Sequence, residues 1–413
     1  MTTIATVAKR VKRTYGEFPL PFRVLVVATF IDRIGGTLIF PFFALYITQK
    51  FNVGMTEAGL LLGIFSTSGF VGSMVGGALA DKLGRRGMVL FGLVSSALSS
   101  LSMGIVNELG VFYLLAGVVG LFSNIAGPAR QAMVADLLPE DKQAEGFGIL
   151  RVAGNLAWIM GPAIGGFLAL RSYLLLFVLD AISSLITAVI VYMLVPETRP
   201  ETTGAQRQET ILETLAGYRR VAADKMYVAF LITSMLMLIV YQQMYNTLSV
   251  YLRDVHGISA RGYGFMLSLD AGTVVLLQFW VTRKTKRLAP MLAMAAGTAL
   301  YLVGFTMYGF VSTYALFIVA ILLITAGEMI VVPVGQALAA RFSPEEMRGR
   351  YMAFYALTWM IPSAVGPAAA GLIMDNYDPN WVWYAAGIIS AIAVAGFCIL
   401  HVTTKPRLAS TVR

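Results

Sequence analysis

Residues 128–166 read PARQAMVADLLPEDKQAEGFGILRVAGNLAWIMGPAIGG, and residues 333–371 read PVGQALAARFSPEEMRGRYMAFYALTWMIPSAVGPAAAG. The two stretches align without a gap, and every identical pair is separated by 205 residues, close to half of the 413-residue chain. The pairs are Pro128 and Pro333, Gln131 and Gln336, Ala132 and Ala337, Ala135 and Ala340, Pro139 and Pro344, Glu140 and Glu345, Gly161 and Gly366, Pro162 and Pro367, Ala163 and Ala368, and Gly166 and Gly371. A hydrophobic chain that repeats at half its length predicts two membrane bundles related by a shared axis.

The composition is that of a membrane protein. The chain is 58% hydrophobic and 13% charged, with a mean hydropathy of +0.75, which is too apolar for a soluble domain of this length. Apolar runs of about 20 residues recur, each long enough to cross roughly 30 Å of hydrocarbon. We predict an all-α membrane protein with 12 spans, numbered in chain order: Leu20–Thr48, Met55–Ala80, Gly87–Val106, Gly110–Ala135, Ala144–Ala169, Tyr173–Val195, Met226–Leu252, Tyr263–Val281, Ala289–Val311, Tyr314–Ala340, Tyr351–Met374 and Trp381–Val402.

The charge distribution predicts the topology. The chain has 31 Lys and Arg and a net charge of +9. Most of these residues lie in the N-terminal segment, in the loops after spans 2, 4, 6, 8 and 10, and in the C-terminal tail. The positive-inside rule then places both termini in the cytoplasm, so the positive charge does not indicate nucleic-acid binding. We predict an integral protein of a bacterial inner membrane, with an N-terminal bundle at 1–195, a polar cytoplasmic linker at 196–225 and a C-terminal bundle at 226–413.

Several motifs resemble those of one family. The loop between spans 2 and 3 reads GALADKLGRR at residues 77–86 and resembles the loop signature of the major facilitator superfamily. In span 5, Gly154 and the sequence GPAIGG at 161–166 are similar to the signature of that superfamily's antiporters. FIDRIGG at 30–36, GEM at 327–329 and RGRYM at 348–352 resemble the 12-helix drug/proton antiporters. The resemblance covers nearly the whole chain, and it implies two pseudo-symmetric six-helix bundles, alternating access and a monomer.

Two of these motifs also have a physical interpretation. The loop residues can form a charge cluster at the cytoplasmic face, and the resemblance implies a latch between the halves; topology alone would also explain the arginines. The latch candidates are Gly77, Asp81, Gly84, Arg85, Arg86 and Asp136. In span 5, proline removes a backbone donor and glycines let a neighbouring helix approach, which predicts a tight seam. That seam could block ion leakage or serve packing alone, and its residues are Gly154, Gly161, Pro162, Gly165 and Gly166.

Ionisable residues inside the spans are the sharpest functional candidates, because each costs several kcal/mol unless it is paired or hydrated. Burial favours the protonated form of a carboxyl group, which can then exchange its proton for a cationic substrate. We rank Asp32 first as the proton site, Glu328 second and Asp270 third; the alternative for each is a structural hydrogen bond. Arg130 and Arg151 are candidates for pairing with an acid or meeting an anionic substrate.

One motif departs from the family pattern. Proton-coupled members usually carry an Arg-x-x-Gln-Gly pattern in helix 4, whereas residues 116–120 read AGVVG and keep only the glycine. Arg130 or Arg33 could take the place of that arginine, or the coupling ion could differ.

The predicted substrate walls combine aromatic, amide and charged groups within apolar spans. Aromatic rings beside one or two acids suit lipophilic cations, partly through cation–π contacts. The candidate substrate-binding residues are Asp32, Arg33, Asn124, Asn155, Trp158, Tyr241, Gln242, Tyr245, Asn246, Glu328, Tyr355 and Trp359.

The main functional hypothesis is an exporter of lipophilic or cationic compounds driven by inward proton flow. A carrier for a specific metabolite or lipid-like solute is the alternative within transport. A membrane enzyme is disfavoured, because the only histidines are His256 and His401 and no metal-ligand spacing occurs. A channel is disfavoured because no filter-like loop appears. We expect no cofactor and no metal, and the single cysteine, Cys398, excludes an internal disulfide.

Overall fold

The computed structural model describes residues 17–198, 218–344 and 347–410, except for the side chains of 77, 78, 80–83, 144 and 405–410. The basic N-terminal arm and most of the predicted linker, residues 199–217, therefore lie outside the described residues. The predicted all-α class is confirmed, because the described residues form helices and no strand occurs among them.

Twelve helices are long and apolar enough to cross a membrane, as the sequence predicts. The largest difference from the predicted limits is in span 7, which ends at Asn246; a separate short helix, Leu248–His256, follows it. The spans are Leu20–Phe51, Met55–Gly76 (within the helix Met55–Leu83), Arg85–Ile105, Leu109–Leu137, Glu140–Ala169, Tyr173–Leu194, Lys225–Asn246, Ala260–Thr285, Pro290–Tyr308, Tyr314–Phe342, Arg348–Asn376 and Trp381–Thr404 (within the helix Trp381–Ser410).

Proline interrupts the helices in the first half of the chain more than in the second. Span 1 consists of the helix Leu20–Ile39, the 3-10 turn Phe40–Phe42 and the helix Phe43–Phe51, with Pro41 in the turn. Span 4 divides into Leu109–Ser123 and Gly127–Leu137, with Pro128 in the first turn of the second helix. Proline lacks the N–H that a helix interior needs, so a helix can break where it occurs. The structural repeat is imperfect at this position, because span 4 breaks just before Pro128 whereas span 10 continues through its counterpart, Pro333.

The described chain packs as two compact units. Of the described residues, 17–40 and 67–198 belong to unit 1, and 41–66, 218–344 and 347–410 belong to unit 2. Within unit 1, span 1 packs on spans 5 and 6, and span 3 packs on spans 4 and 6. Within unit 2, span 7 packs on spans 11 and 12, and span 9 packs on spans 10 and 12. The same pairs recur six spans later, so the sequence repeat is also a repeat of helix packing.

The unit boundaries do not coincide with the halves of the sequence. Residues 41–66, which carry the end of span 1 and the start of span 2, belong to unit 2 although they lie in the first half of the chain. The division at 195 and 226 remains a prediction for the two six-span halves.

Candidate functional site

An ion pair joins spans 1 and 4 in unit 1. Arg130 Nη1 lies 3.2 Å from Asp32 Oδ2, and the two side chains are 25% and 16% exposed. Ser184 of span 6 donates to the other oxygen, Asp32 Oδ1, at 3.2 Å. Arg33 interacts electrostatically with both Asp32 and Arg130 from an accessible position. The guanidinium of Arg130 on a neighbouring helix thus compensates the charge of the Asp32 carboxylate. Such pairing lowers the free-energy cost of a charge inside a membrane span.

Asp180 lies one turn before Ser184 on span 6 and has its own partner. Its side chain is 6% exposed and accepts a hydrogen bond from Ser100 Oγ of span 3. This contact supports a structural role for Asp180, because it ties spans 3 and 6 together.

Replacing Ser100 with Ala is expected to lower the thermal stability of the protein. The change leaves the Asp180 carboxyl without this donor, and a buried polar group that loses its partner costs about 1–3 kcal/mol. Thermal unfolding in detergent measures the shift. Ser102→Ala, at a half-buried position of the same span, is the matched control, and equal midpoints for the two variants would contradict the assignment.

Two carboxyl groups lie together in unit 2. Asp270 of span 8 is 5% exposed and accepts a hydrogen bond from Thr325 Oγ1 at 2.6 Å. Glu328 lies three residues after Thr325 on span 10, and its carboxyl interacts electrostatically with that of Asp270. Glu328 Oε2 is enclosed and has no hydrogen-bond partner among the described residues. In the part of the chain that the structure describes, no Lys or Arg forms an ion pair with either acid.

Aromatic rings surround this pair. The Tyr241 hydroxyl interacts electrostatically with the Glu328 carboxyl and lies 3.0 Å from the Tyr245 hydroxyl. The Tyr241 ring stacks on Tyr301 of span 9, with centroids 5.5 Å apart, and meets Trp359 of span 11 edge to face at 6.1 Å. The Tyr301 hydroxyl is buried, unpartnered among the described residues, and interacts electrostatically with both acids. Tyrosines of spans 7 and 9 therefore lie near two acids from spans 8 and 10, and Trp359 of span 11 packs against one of these tyrosines.

The other predicted substrate-binding residues have varied surroundings. Asn124 is exposed at the break in span 4, Asn155 is half-buried, and Trp158 meets Phe40 edge to face at 6.0 Å. In unit 2, Gln242 donates to Ser363 Oγ, and Asn246 donates to the Gln242 carbonyl at 3.0 Å. Tyr355 stacks on Phe230 with centroids 6.3 Å apart. Of the predicted substrate-binding residues, Tyr241 and Tyr245 lie near the carboxyl pair, which includes Glu328 itself, and Trp359 contacts Tyr241.

The predicted latch residues form a network within unit 1. Arg85 Nε lies 2.8 Å from Asp136 Oδ2, which is the partner that the sequence suggested. Arg86 stacks on Tyr192 and donates to its carbonyl. Gly84 precedes span 3 with φ +91°, a conformation that glycine adopts without strain. The surroundings of Gly77 and the side chain of Asp81 lie outside the described part of the structure. The latch between the two halves therefore stays a prediction.

The seam predicted for span 5 forms at one glycine. A Cβ on Gly161 would collide with Thr37 of span 1, and Thr37 Oγ1 donates to the Ala157 carbonyl of span 5 at 3.2 Å. Gly154 has open space around it. The helix continues through Pro162, and Gly165 and Gly166 are buried. Arg151, the second predicted pairing residue, is exposed and takes part in none of the described ion pairs.

Sequence reasoning missed several residues at these sites. Tyr301 and Thr325 lie at the Asp270–Glu328 carboxyl pair. Ser184 donates to Asp32 in the ion pair of unit 1. Glu197 accepts a hydrogen bond from the backbone N–H of Arg85 at 2.8 Å. One signal was available: Thr325 and Glu328 are three residues apart, and residues at this spacing share a helix face. The other residues come from separate spans, so no local spacing indicates them.

His256, one of the two histidines, lies outside the spans and has a packing role. Its ring meets Phe317 at 4.8 Å between centroids, and its Nε2 lies 3.1 Å from the Tyr251 hydroxyl. Burial lowers the pKa of His256, which favours the neutral ring at pH 7.

The architecture defines a class of protein. Twelve spans in two sets that pack in the same order, with ionisable groups inside the spans, are the features of a secondary transporter. The Major Facilitator Superfamily model matches residues 25–333 and 246–412, and the chain belongs to this superfamily. It is therefore a membrane transporter of the major facilitator type and not an enzyme.

Comparisons with individual proteins agree with the family. A Na(+), Li(+), K(+)/H(+) antiporter of Planococcus maritimus is 26% identical over 92% of this chain and 94% of its own length. The multidrug resistance protein MdtH of Salmonella arizonae is 24% identical over 89% of this chain and 90% of its own. Among solved structures, the nucleoside transporter NupG has a TM-score of 0.81 at 13% identity, covering 92% of this chain and 99% of that one. The structural likeness concerns the fold alone.

Proposed function

We propose that this transporter exports lipophilic, cationic compounds in exchange for protons, and that Glu328 and Asp270 form the site where proton and substrate compete. One observation carries the proposal: two acids interact with each other inside the spans of unit 2, and none of the described ion pairs includes either of them. The sequence ranked Asp32 first, and the geometry favours the unit 2 pair instead.

The physical argument begins with charge. Two carboxylates in a low-dielectric region repel each other, and an ion inside a span is costly unless it is neutralised. A proton on one acid reduces this cost, and so does a bound cation. Because either occupant supplies the same positive charge, binding of one disfavours binding of the other. That competition is the coupling that an exchanger needs.

The surroundings favour an organic cation. Tyr241, Tyr245 and Tyr301 interact electrostatically with Glu328 and Asp270, and Trp359 packs against Tyr241. A cation over an aromatic face gains about 0.5–2 kcal/mol per contact. The similarity to a relative named a multidrug resistance protein supports a role in the handling of drugs. Asp32 differs because Arg130 already compensates it. We propose that this pair couples substrate binding to movement of spans 1 and 4, with Arg130 in place of the arginine missing from span 4.

A second candidate is exchange of an alkali-metal ion for protons. The unpartnered Glu328 Oε2 and Tyr301 hydroxyl are hard oxygen donors of the kind that such ions prefer. The relative named as a Na(+), Li(+), K(+)/H(+) antiporter supports this reading.

Proton release on ligand binding tests the proposal and separates the two candidates. Purified protein in weakly buffered detergent receives tetraphenylphosphonium, sodium chloride, or a neutral lipophilic compound, and a pH indicator records released protons. We expect release by tetraphenylphosphonium that Glu328→Gln and Asp270→Asn abolish and that Asp32→Asn retains. Asp254→Asn is the matched control, because Asp254 pairs with its neighbour Arg253 outside the spans.

Each other outcome points elsewhere. Release by sodium alone would select the alkali-ion candidate. Loss of release only in Asp32→Asn would return the proton site to span 1. Binding without release in every variant would contradict proton exchange and favour a carrier for a specific metabolite or lipid-like solute.

A further inference from the structure

One side of span 8 is apolar along its length and basic at its end. Leu276, Phe279 and Trp280 are 79%, 74% and 61% exposed. Arg283 and Lys284 follow in the last turn of the span. Residues three and four positions apart are neighbours on a helix surface, so these five side chains lie on one side of span 8. We call this set the span 8 stripe.

The aromatic rings of the stripe hold its two cations side by side. The guanidinium carbon of Arg283 lies 5.5 Å from the centroid of the Phe279 ring, and Lys284 Nζ lies 5.7 Å from that of Trp280. An aromatic face attracts a cation without using its N–H donors. The stripe therefore presents two adjacent groups of N–H donors at the end of a hydrophobic surface.

The stripe faces away from the buried side of span 8. Leu267 and Asp270 are buried, whereas Leu276 and Phe279 are exposed. Leu267 and Leu276 are nine residues apart, as are Asp270 and Phe279, and nine residues make two and a half helical turns. The two pairs thus have their members on opposite sides of the helix. An exposed apolar side of a membrane span contacts lipid, and aromatic residues concentrate at the level of the lipid headgroups.

The cations at the end of span 8 lack carboxylate partners in the described structure. Arg283, Lys284, Lys286 and Arg287 are all exposed, and none of the described ion pairs includes any of them. We call these four residues the basic cluster. Like charges this close together repel one another, and a bound anion reduces the repulsion. The basic cluster is therefore complementary in charge to an anion.

The equivalent place in unit 1 contains its own anion. Span 3 begins at Arg85 and span 9 begins at Pro290, so the 205-residue offset of the repeat also holds for the loops before these spans. In unit 1, Arg85 pairs with Asp136 at 2.8 Å. The residue 205 positions after Asp136 is Arg341, which is exposed and belongs to none of the described ion pairs. The second half of the chain thus has a cation where the first half has a neutralising acid.

We propose that the span 8 stripe and the basic cluster form a binding site for one anionic phospholipid. The headgroup phosphate accepts from Arg283 and Lys284, and an acyl chain lies along Leu276, Phe279 and Trp280. A phospholipid fits better than a soluble anion, because only the lipid has an apolar part to cover the exposed residues beside the charge. The basic cluster lies on the face that the charge distribution predicts to be cytoplasmic, where anionic lipids attract Lys and Arg that flank a span.

Native mass spectrometry tests this proposal by counting the lipids that the purified protein retains. Protein in detergent receives either phosphatidylglycerol, which is anionic, or phosphatidylcholine with the same acyl chains, which is zwitterionic. We expect the first phosphatidylglycerol to bind more tightly than phosphatidylcholine. Arg283→Gln combined with Lys284→Gln should weaken phosphatidylglycerol binding about thirtyfold, because each cation beside an anionic headgroup contributes a factor of about five. The measurement needs neither substrate nor proton gradient, so its outcome is independent of the proposed function.

Two control variants separate the site from net charge. Arg219→Gln combined with Arg220→Gln removes two exposed cations from the predicted cytoplasmic linker and should keep tight phosphatidylglycerol binding. Arg283→Lys combined with Lys284→Arg keeps both charges of the stripe and should also keep it. Equal weakening in the two Gln double variants would show that only net charge matters, and would overturn the site. Equal affinity of the wild-type protein for the two lipids would overturn it as well.

Two further measurements separate a lipid site from a site for a soluble anion. Phe279→Leu combined with Trp280→Leu keeps an apolar surface but removes the rings that hold the cations, and we expect it to weaken phosphatidylglycerol binding about fivefold. Inorganic phosphate in large excess should leave the first phosphatidylglycerol bound. Displacement of the lipid by phosphate, or wild-type affinity in the Leu variant, would contradict a site built from both the stripe and the basic cluster.

Discussion

Glu328→Gln is expected to abolish uphill, pH-gradient-driven accumulation of a lipophilic cation while leaving downhill exchange of that cation measurable. Gln keeps the shape and hydrogen bonding of the side chain but removes the group that binds either a proton or a positive charge. Glu328 and Asp270 interact in the wild-type protein. The variant keeps only the Asp270 carboxyl, so the site holds at most one negative charge, and competition between a proton and the cationic substrate is weakened. We expect gradient-driven accumulation in proteoliposomes to fall at least about tenfold, which corresponds to about 1.4 kcal/mol of coupling.

The matched control is Asp254→Asn, which removes a carboxylate outside the spans and should leave accumulation at the wild-type level. Exchange of labelled for unlabelled substrate verifies that the Glu328→Gln protein is folded and binds. Full gradient-driven accumulation by this variant would move proton coupling away from the unit 2 pair.

Arg130→Met is expected to destabilise the protein, and Asp32→Asn is expected to reverse most of that loss. The Met variant leaves Asp32 charged inside a span without its ion-pair partner, although the Ser184 hydroxyl still donates to it and Arg33 still interacts with it electrostatically. Removing one member of a fully buried pair costs about 3–5 kcal/mol. Since this pair is partly exposed, we expect about 2 kcal/mol, seen as a drop of several degrees in the unfolding midpoint.

The double variant decides whether the pair acts as a unit. Asp32→Asn combined with Arg130→Met removes both charges of the pair, so no carboxylate is left in the span without its guanidinium partner. Its midpoint should lie closer to wild type than that of Arg130→Met alone. If the loss of stability in the double variant equals the sum of the losses in the two single variants, Asp32 and Arg130 contribute independently, which would contradict a stabilising ion pair.

Much of the fold follows from local properties of the sequence. Span length depends only on a run of apolar residues matching the bilayer thickness, so all 12 spans could be placed from the sequence. The repeat of 128–166 at 333–371 reappears as the same order of helix packing. The location of Asp32, Asp270 and Glu328 inside spans was also predictable, because each lies within a long apolar run of the sequence.

The partners of those acids were not predictable, and they decide what each acid can do. Spans that are apolar on every face carry no periodic pattern to indicate which side faces another helix. Asp32 and Glu328 are therefore alike by sequence, whereas in the structure Arg130 lies 3.2 Å from Asp32 and Glu328 instead interacts with Asp270.

Local properties of the sequence were enough to establish the membrane class, the number and approximate limits of the spans, and which ionisable residues lie inside them. Helix packing decided which of those residues are compensated, and it placed the Asp375 carboxylate against the backbone N–H groups of Met55 and Thr56, more than 300 residues earlier in the chain. The physical reason is the distance along the chain over which each property is set. The length and hydropathy of a span are properties of one helix, whereas charge compensation and capping depend on how separate helices are rotated and packed.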